Sequence, residues 1–139
     1  MLCVSLSETN PVKLLKIVPK YQMAEIRMDL MSLSSEGIQA IFSSHKNLIA
    51  TCRKGKYNDN EREIQLLKAI DAGACYVDVE IDGDETVRKE VIAHAQSKNC
   101  KIILSYHDFE STPEYPDLID IIDNCIEEGA HVTKIATMV

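Results

Sequence analysis

Six short strand-like runs recur along this chain at a spacing of about 25 residues, and segments with helical periodicity fill the intervals. The runs are "LCVSL" (2–6), "MAEIRMDL" (23–30), "NLIATCR" (47–53), "CYVDVEI" (75–81), "KIILSYH" (101–107) and "VTKIATM" (132–138). In "EREIQLLKAIDAG" (61–73), Ile64, Leu67 and Ile70 are three apart, Leu66 and Ile70 four apart, and Gly73 supplies a C-terminal stop. "DETVRKEVIAHAQSKN" (84–99) opens on Asp84 as N-cap, and "PDLIDIIDNCIEEGA" (116–130) has its proline early and Gly129 at its end. Six strands alternating with five helices is the pattern of right-handed βα units on a parallel sheet. With 139 residues and no Pro/Gly linker or composition break, one domain over 1–139 is expected.

The interiors of the runs narrow the architecture. Central strands of a doubly wound open sheet are covered on both faces and read as continuous apolar runs. Several strands here alternate instead. Glu25, Arg27 and Asp29 share a face opposite Ile26, Met28 and Leu30, and Asp78 and Glu80 share one opposite Val77, Val79 and Ile81. Thr51 with Arg53, and Ser105 with His107, follow the same parity. A parallel sheet with an outer face on helices and an inner face charged towards its C-terminal ends predicts a β/α barrel, whose lumen mouth is an active site.

Lys134 interrupts the last strand and joins Glu25, Arg27, Asp29, Thr51, Arg53, Asp78, Glu80, Ser105 and His107 on that inner face. So many charges on one face are costly unless they pair or solvate, and a network that merely fills the mouth is one reading of them. The pairing of Lys134 with His107 points further. A desolvated lysine beside Arg27 and Arg53 is expected to release a neutral amine that attacks ketones, and a histidine on the neighbouring strand can shuttle protons near neutral pH. Lysine, histidine, two arginines and a carboxylate around one cavity suggest Schiff-base chemistry on an anionic carbonyl compound. His45, His94 and His131 fall on a loop, a helix and a strand approach, where packing or surface roles suffice. "DVEIDGDE" lacks the ligand spacing of a calcium loop.

Composition excludes several other classes. A net charge of −7 speaks against a nucleic-acid partner, and no apolar run approaches the ~20 residues of a membrane span. Lys13, Lys16 and Lys20 follow the first apolar run rather than precede it, unlike a signal peptide. Five scattered cysteines, odd in number and without CxxC spacing, predict reduced thiols in a cytoplasmic protein rather than a disulfide framework or zinc site.

At these same residues the sequence resembles the type I 3-dehydroquinate dehydratases of the shikimate pathway, enzymes of aromatic amino acid biosynthesis. "AEIRMDLM" resembles their E-x-R-x-D strand, "LIATCR" their T-x-R strand and "YVDVEI" their D-x-E strand. "IILSYHDFESTP" is similar to their S-x-H-D-F-x-x-T-P signature and "VTKIATM" to their K-I-A-x-M strand, collinear from Val4 to Met138. The resemblance implies a (β/α)8 TIM barrel of which this chain holds six units, and a lyase that needs neither metal nor cofactor. It implies that Lys134 forms an imine with the C3 ketone of 3-dehydroquinate and that His107 is the general acid/base. Glu25 and Arg27 would bind substrate hydroxyls, and Arg53 would add positive charge. Family members carry a glutamate near the histidine, four residues after the T-x-R arginine; here that residue is Tyr57, leaving Tyr57, Asp59 or Glu61 to orient His107. Strands seven and eight, with the family's carboxylate-binding arginine and serine/glutamine lid, would lie beyond Val139. Open edges in a six-strand chain predict a homodimer or other self-association. A non-catalytic remnant of the barrel, and a class I aldolase-like enzyme with its lysine on strand six, are the alternatives; the SYHDF–TP segment argues against the second.

Overall fold

The computed structural model describes residues 1–138, and Val139 lies outside the described residues. Its elements follow in the order β1 (Val4–Leu6), α1 (Pro11–Ile17), β2 (Ala24–Arg27), α2 (Ser35–Ser43), β3 (Leu48–Thr51), α3 (Asp59–Asp71), β4 (Tyr76–Glu80), α4 (Glu85–Ser97), β5 (Lys101–Asp108), α5 (Tyr115–Glu127) and β6 (Val132–Thr137). All five strand pairs are parallel and the spatial order is the chain order, β1 to β6. The result is six βα units wound as an open half-barrel, part of a (β/α)8 fold. Sequential order without a switch point is what consecutive right-handed crossovers on one side of a curling sheet produce.

Local chemistry sets the element ends. Asn10 accepts from the backbone N–H groups of Val12 and Lys13, Ser34 from Gly37, and Asp84 from Val87. At α3, Asn58 and Glu61 form a reciprocal capping box. Three helices leave through a left-handed residue: Gly73 (φ 108°) after α3, Asn99 (φ 60°) after α4 and Gly129 (φ 96°) after α5. Each hands the chain to the next strand through the same bond, Ala74 N–H to Ala69 C=O, Cys100 to Ala95 and Ala130 to Cys125.

The core lies between the outer face of the sheet and the helices. Ile26, Ala50, Val77, Ile102 and Leu104 point outward and are sealed by Ile41, Leu66, Ala69, Val91 and Ala95. Burial of this kind is worth roughly 25 cal/mol per Å² of apolar surface and dominates the stabilisation. Cys52 and Cys100 belong to this layer, and burial pushes both thiols up to about 12.

One strand and one helix depart from their sequence pattern. The run 23–30 leaves the sheet at Arg27 and closes in a 3-10 turn at Met28–Leu30. Asp29 is therefore not a strand residue; from the turn its carboxylate binds Arg27 with bonds of 3.0 and 2.7 Å. In α3 the buried stripe is Arg62, Leu66, Ala69 and Ile70, whereas Ile64, three before Leu67, is exposed.

Candidate active site

Parallel register brings the inner-face side chains into rungs. Ser5 lies opposite Glu25, Thr51 opposite Asp78, and Ser105 opposite Lys134. Glu25 is fixed by hydroxyls on both sides: Ser5 donates to Oε1 at 2.8 Å and Thr51 to Oε2 at 3.0 Å. Asp78, almost wholly buried, accepts from Ser105 at 2.6 Å and from Arg53 at 2.8 Å, and Arg53 also donates to Ser105 at 2.9 Å. Each buried charge in the lumen thus has an opposite charge or a hydroxyl beside it, the condition for tolerating it there.

Lys134 reaches into the lumen from β6. Its Nζ lies 3.5 Å from Asp78 and 3.8 Å from Glu25, with the side chain 42% exposed. These residues line a cavity of about 320 Å³ with Cys3, Ser5, Ile49 and Ile103. The sequence placed Arg27 and Arg53 beside this lysine; the structure puts two carboxylates against the amine and Arg53 on one of them. Arg27 is taken by Asp29, whereas Arg53 binds the same Asp78 Oδ2 as Lys134, at 2.8 Å against 3.5 Å.

The field of Arg53 acts on His107. Burial pushes the imidazole below its ordinary value, Arg53 and Lys134 push it further, and Asp78 and Glu80 oppose them. His107 stacks on Phe109 with ring centroids 5.9 Å apart. It lines a second hollow, a cleft of about 430 Å³, with Arg27, Arg53, Lys54, Glu80 and Phe109. Lys134 and His107 thus occupy neighbouring strands but line two hollows, bridged by the Arg53–Asp78 pair. Burial raises the Asp29 carboxyl, yet the Arg27 guanidinium and the Arg53 backbone N–H outweigh it and hold it below the ordinary carboxylate value.

Of the three residues offered to orient His107, none faces it as an acceptor. Tyr57 donates its hydroxyl to the Met31 carbonyl at 2.7 Å. Asp59 binds Arg62 at 3.0 Å, and Glu61 is committed to the capping box. The carboxylate that shares the cleft is Glu80. Two further residues escaped the sequence reading. Ser5 sits in a run too short to show parity. Arg62 passed as a charged helix face, although it lies four residues before Leu66 and so on the buried stripe. The remaining histidines have local partners: His94 meets Asp71 at 2.8 Å, while His45 and His131 accept from the backbone N–H groups of Asn47 and Ile102. Among the described residues no three or more His, Cys, Asp or Glu side chains are grouped to hold a metal, and no helix is long and apolar enough to cross a membrane.

Comparison with known proteins bears on the family and the fold. The family model for type I 3-dehydroquinase matches residues 2–139. The 3-dehydroquinate dehydratase of Methanopyrus kandleri is 35% identical over 82% of this chain and 54% of its own length. That of Methanocaldococcus jannaschii is 32% identical over 99% of this chain and 66% of its own. The chain therefore spans between about half and two thirds of these relatives. Among solved structures, the type I enzyme of Clostridium difficile superposes with a TM-score of 0.86 at 23% identity, covering 98% of this chain and 62% of that one. The Aquifex aeolicus 3-dehydroquinate dehydratase gives 0.80 at 25%, covering 99% and 66%. The collinear lumen motifs, the half-barrel and the match across nearly all residues lead to one conclusion: this chain belongs to the type I 3-dehydroquinase family.

Proposed function

We propose that this chain carries the imine-forming lumen of a 3-dehydroquinate dehydratase, converting 3-dehydroquinate to 3-dehydroshikimate through a Schiff base on Lys134. The observation that carries the reading is the placement of Lys134: a partly open amine in a lumen cavity, flanked by two carboxylates, on the strand next to His107. Condensation with the C3 ketone, whose oxygen leaves as water, replaces an ammonium by an iminium. Asp78 and Glu25, 3.5 and 3.8 Å from the nitrogen, face a cation before and after the step and stabilise both. The iminium is an electron sink that acidifies the adjacent C2–H. His107, biased towards its neutral form, takes that proton to give an enamine. The enamine then expels the C1 hydroxyl, which leaves as water with the proton returned by His107, and hydrolysis of the imine frees Lys134. Arg27 and Arg53 give the cleft a positive wall suited to an anionic substrate, and Glu25 offers its carboxylate to substrate hydroxyls. Water is the only other reactant required.

Incubation with 3-dehydroquinate and borohydride tests this. A reduced adduct on the peptide containing Lys134, absent from Lys134→Arg, is expected. An adduct on another lysine, or none from a chain that turns substrate over, overturns the assignment.

A further inference from the structure

Among the residues that line the cleft with His107, Glu80 is the acid. Its two oxygens face arginines of different origin. Oε1 lies 3.9 Å from Arg53, a lumen residue, and Oε2 lies 2.7 Å from Arg62. Arg62 is no lumen residue: it belongs to the first turns of α3, in the outer layer, and is buried there. Its guanidinium also donates Nε to the Cys52 carbonyl at 2.8 Å and Nη1 to Asp59 at 3.0 Å. One planar fork therefore joins the exit of β3, the start of α3 and the last residue of β4, a geometry an ammonium cannot reproduce. The turn after β4 closes over the same residue. A Cβ at Gly83 would come within 3.2 Å of the Glu80 carbonyl oxygen and 3.7 Å of its Cβ, so the turn sits this close because residue 83 has no side chain.

We propose that Arg62 is a positioning residue of the site: from outside the lumen it holds the Glu80 carboxylate in one place in the cleft and thereby sets the charge environment of His107. The catalytic meaning of this rests on the role given to His107 above; the coupling itself does not. Arg27, Arg53 and Lys54 share the cleft with the imidazole, Lys134 acts on it from β6, and Asp78 and Glu80 act from β4. In that mainly cationic surrounding, a carboxylate that moved would change the balance at the imidazole. With its Oε2 bound to Arg62, Glu80 is screened by a cation on its far side. Without Arg62 its nearest cation is Arg53 at 3.9 Å, on the cleft side.

Histidine titration by NMR on the 139-residue chain tests the coupling without turnover. The chain has four histidines, and His107 is assigned by the resonance lost in His107→Gln. Glu80→Gln is expected to lower the His107 midpoint. Arg62→Gln is expected to raise it by about half a pH unit, the size of effect one newly unscreened charge has in a partly wet cleft. In the Glu80→Gln background that rise should fall to less than roughly half, because Arg62 then has no carboxylate to hold. An equal rise in both backgrounds, or no change in either, overturns the proposal. Arg62→Lys, which keeps the charge and loses the fork, is run in the same two backgrounds as a second reading. If Arg62→Gln fails to fold, an Arg62→Lys shift that vanishes with Glu80→Gln supports the proposal, and one that persists overturns it. An inactive protein with intact coupling would count against the dehydratase reading alone.

Discussion

Lys134 and His107 are separated by what surrounds them. The lysine is held among carboxylates, the histidine among cations, and Asp78 with Arg53 divides the two regions. That division suits the proposed chemistry: the carboxylates would face an iminium, while burial, and after it the cations, bias His107 towards its neutral form. Two outcomes follow for a preparation that dehydrates 3-dehydroquinate. Because the His107 midpoint lies below the ordinary 6.5, kcat/KM should rise with pH through a midpoint under 6.5 rather than above it. The sign is fixed by the base: its active form is the deprotonated one, so activity is lost as pH falls. His107→Ala should remove that limb and slow turnover by roughly 10²–10⁴-fold, while borohydride still traps substrate on Lys134. A packing role would instead lower the melting temperature and leave turnover per folded molecule near normal. Stopped assays across pH 5–8 and thermal melts on one preparation separate the two.

At the scale of elements, strand parity does most of the positioning, and helix caps hold the strands' exits where parity needs them. Glu25, Asp78, Ser105 and Lys134 all fell on the lumen face that alternation assigned, because a parallel ladder cannot slip one residue without exposing Ile26, Val77, Ile102 and Leu104. Asp29 broke the pattern because the chain leaves the sheet at Arg27 and closes in a 3-10 turn over Met28–Leu30. The capping box at Asn58 bears on the site directly, since α3 carries Arg62 in its first turns. Asn58→Ala removes the acceptor for the Glu61 backbone N–H and should cost about 1 kcal/mol. In a domain of this size that is a fall of roughly 3–5 °C in Tm, readable by calorimetry. An unchanged Tm would mean that the first turn of α3 is held by Arg62 and packing alone.

For the whole molecule, the sheet order leaves β1 and β6 with one strand neighbour each among the described residues. On α5, Ile119 and Ile126 are exposed, and Val132 at the start of β6 is exposed as well. Unpaired strand edges beside apolar side chains recruit other strands or helix faces. A verified 139-residue sample should therefore elute in size-exclusion chromatography with light scattering as a dimer or larger species. Ile126→Lys, which places a charge on that face, should shift the population towards 15.6 kDa. A wild-type chain that is monomeric at tens of micromolar would show that these edges are protected by their own twist and charge.

Sequence periodicity by itself determined the six βα units, the parity of the inner face and the left-handed exits at Gly73 and Gly129. Each is a local consequence of side-chain size, backbone freedom or alternation, and is written in residues close together in the chain. Even Arg62 left a trace in its helical spacing. Tertiary structure alone decided which charge meets which. The sequence listed two arginines, a lysine and several carboxylates on one face without saying that Arg27 would turn to Asp29. Nor did it show that Asp78 would bind both Arg53 and Lys134, or that an outer-layer arginine would reach Glu80. Those pairings depend on register between strands, sheet curvature and the few ångströms over which Coulomb attraction outweighs desolvation. Apart from Arg27–Asp29, which are neighbours in the chain, they are set only when residues 18 or more positions apart are brought together.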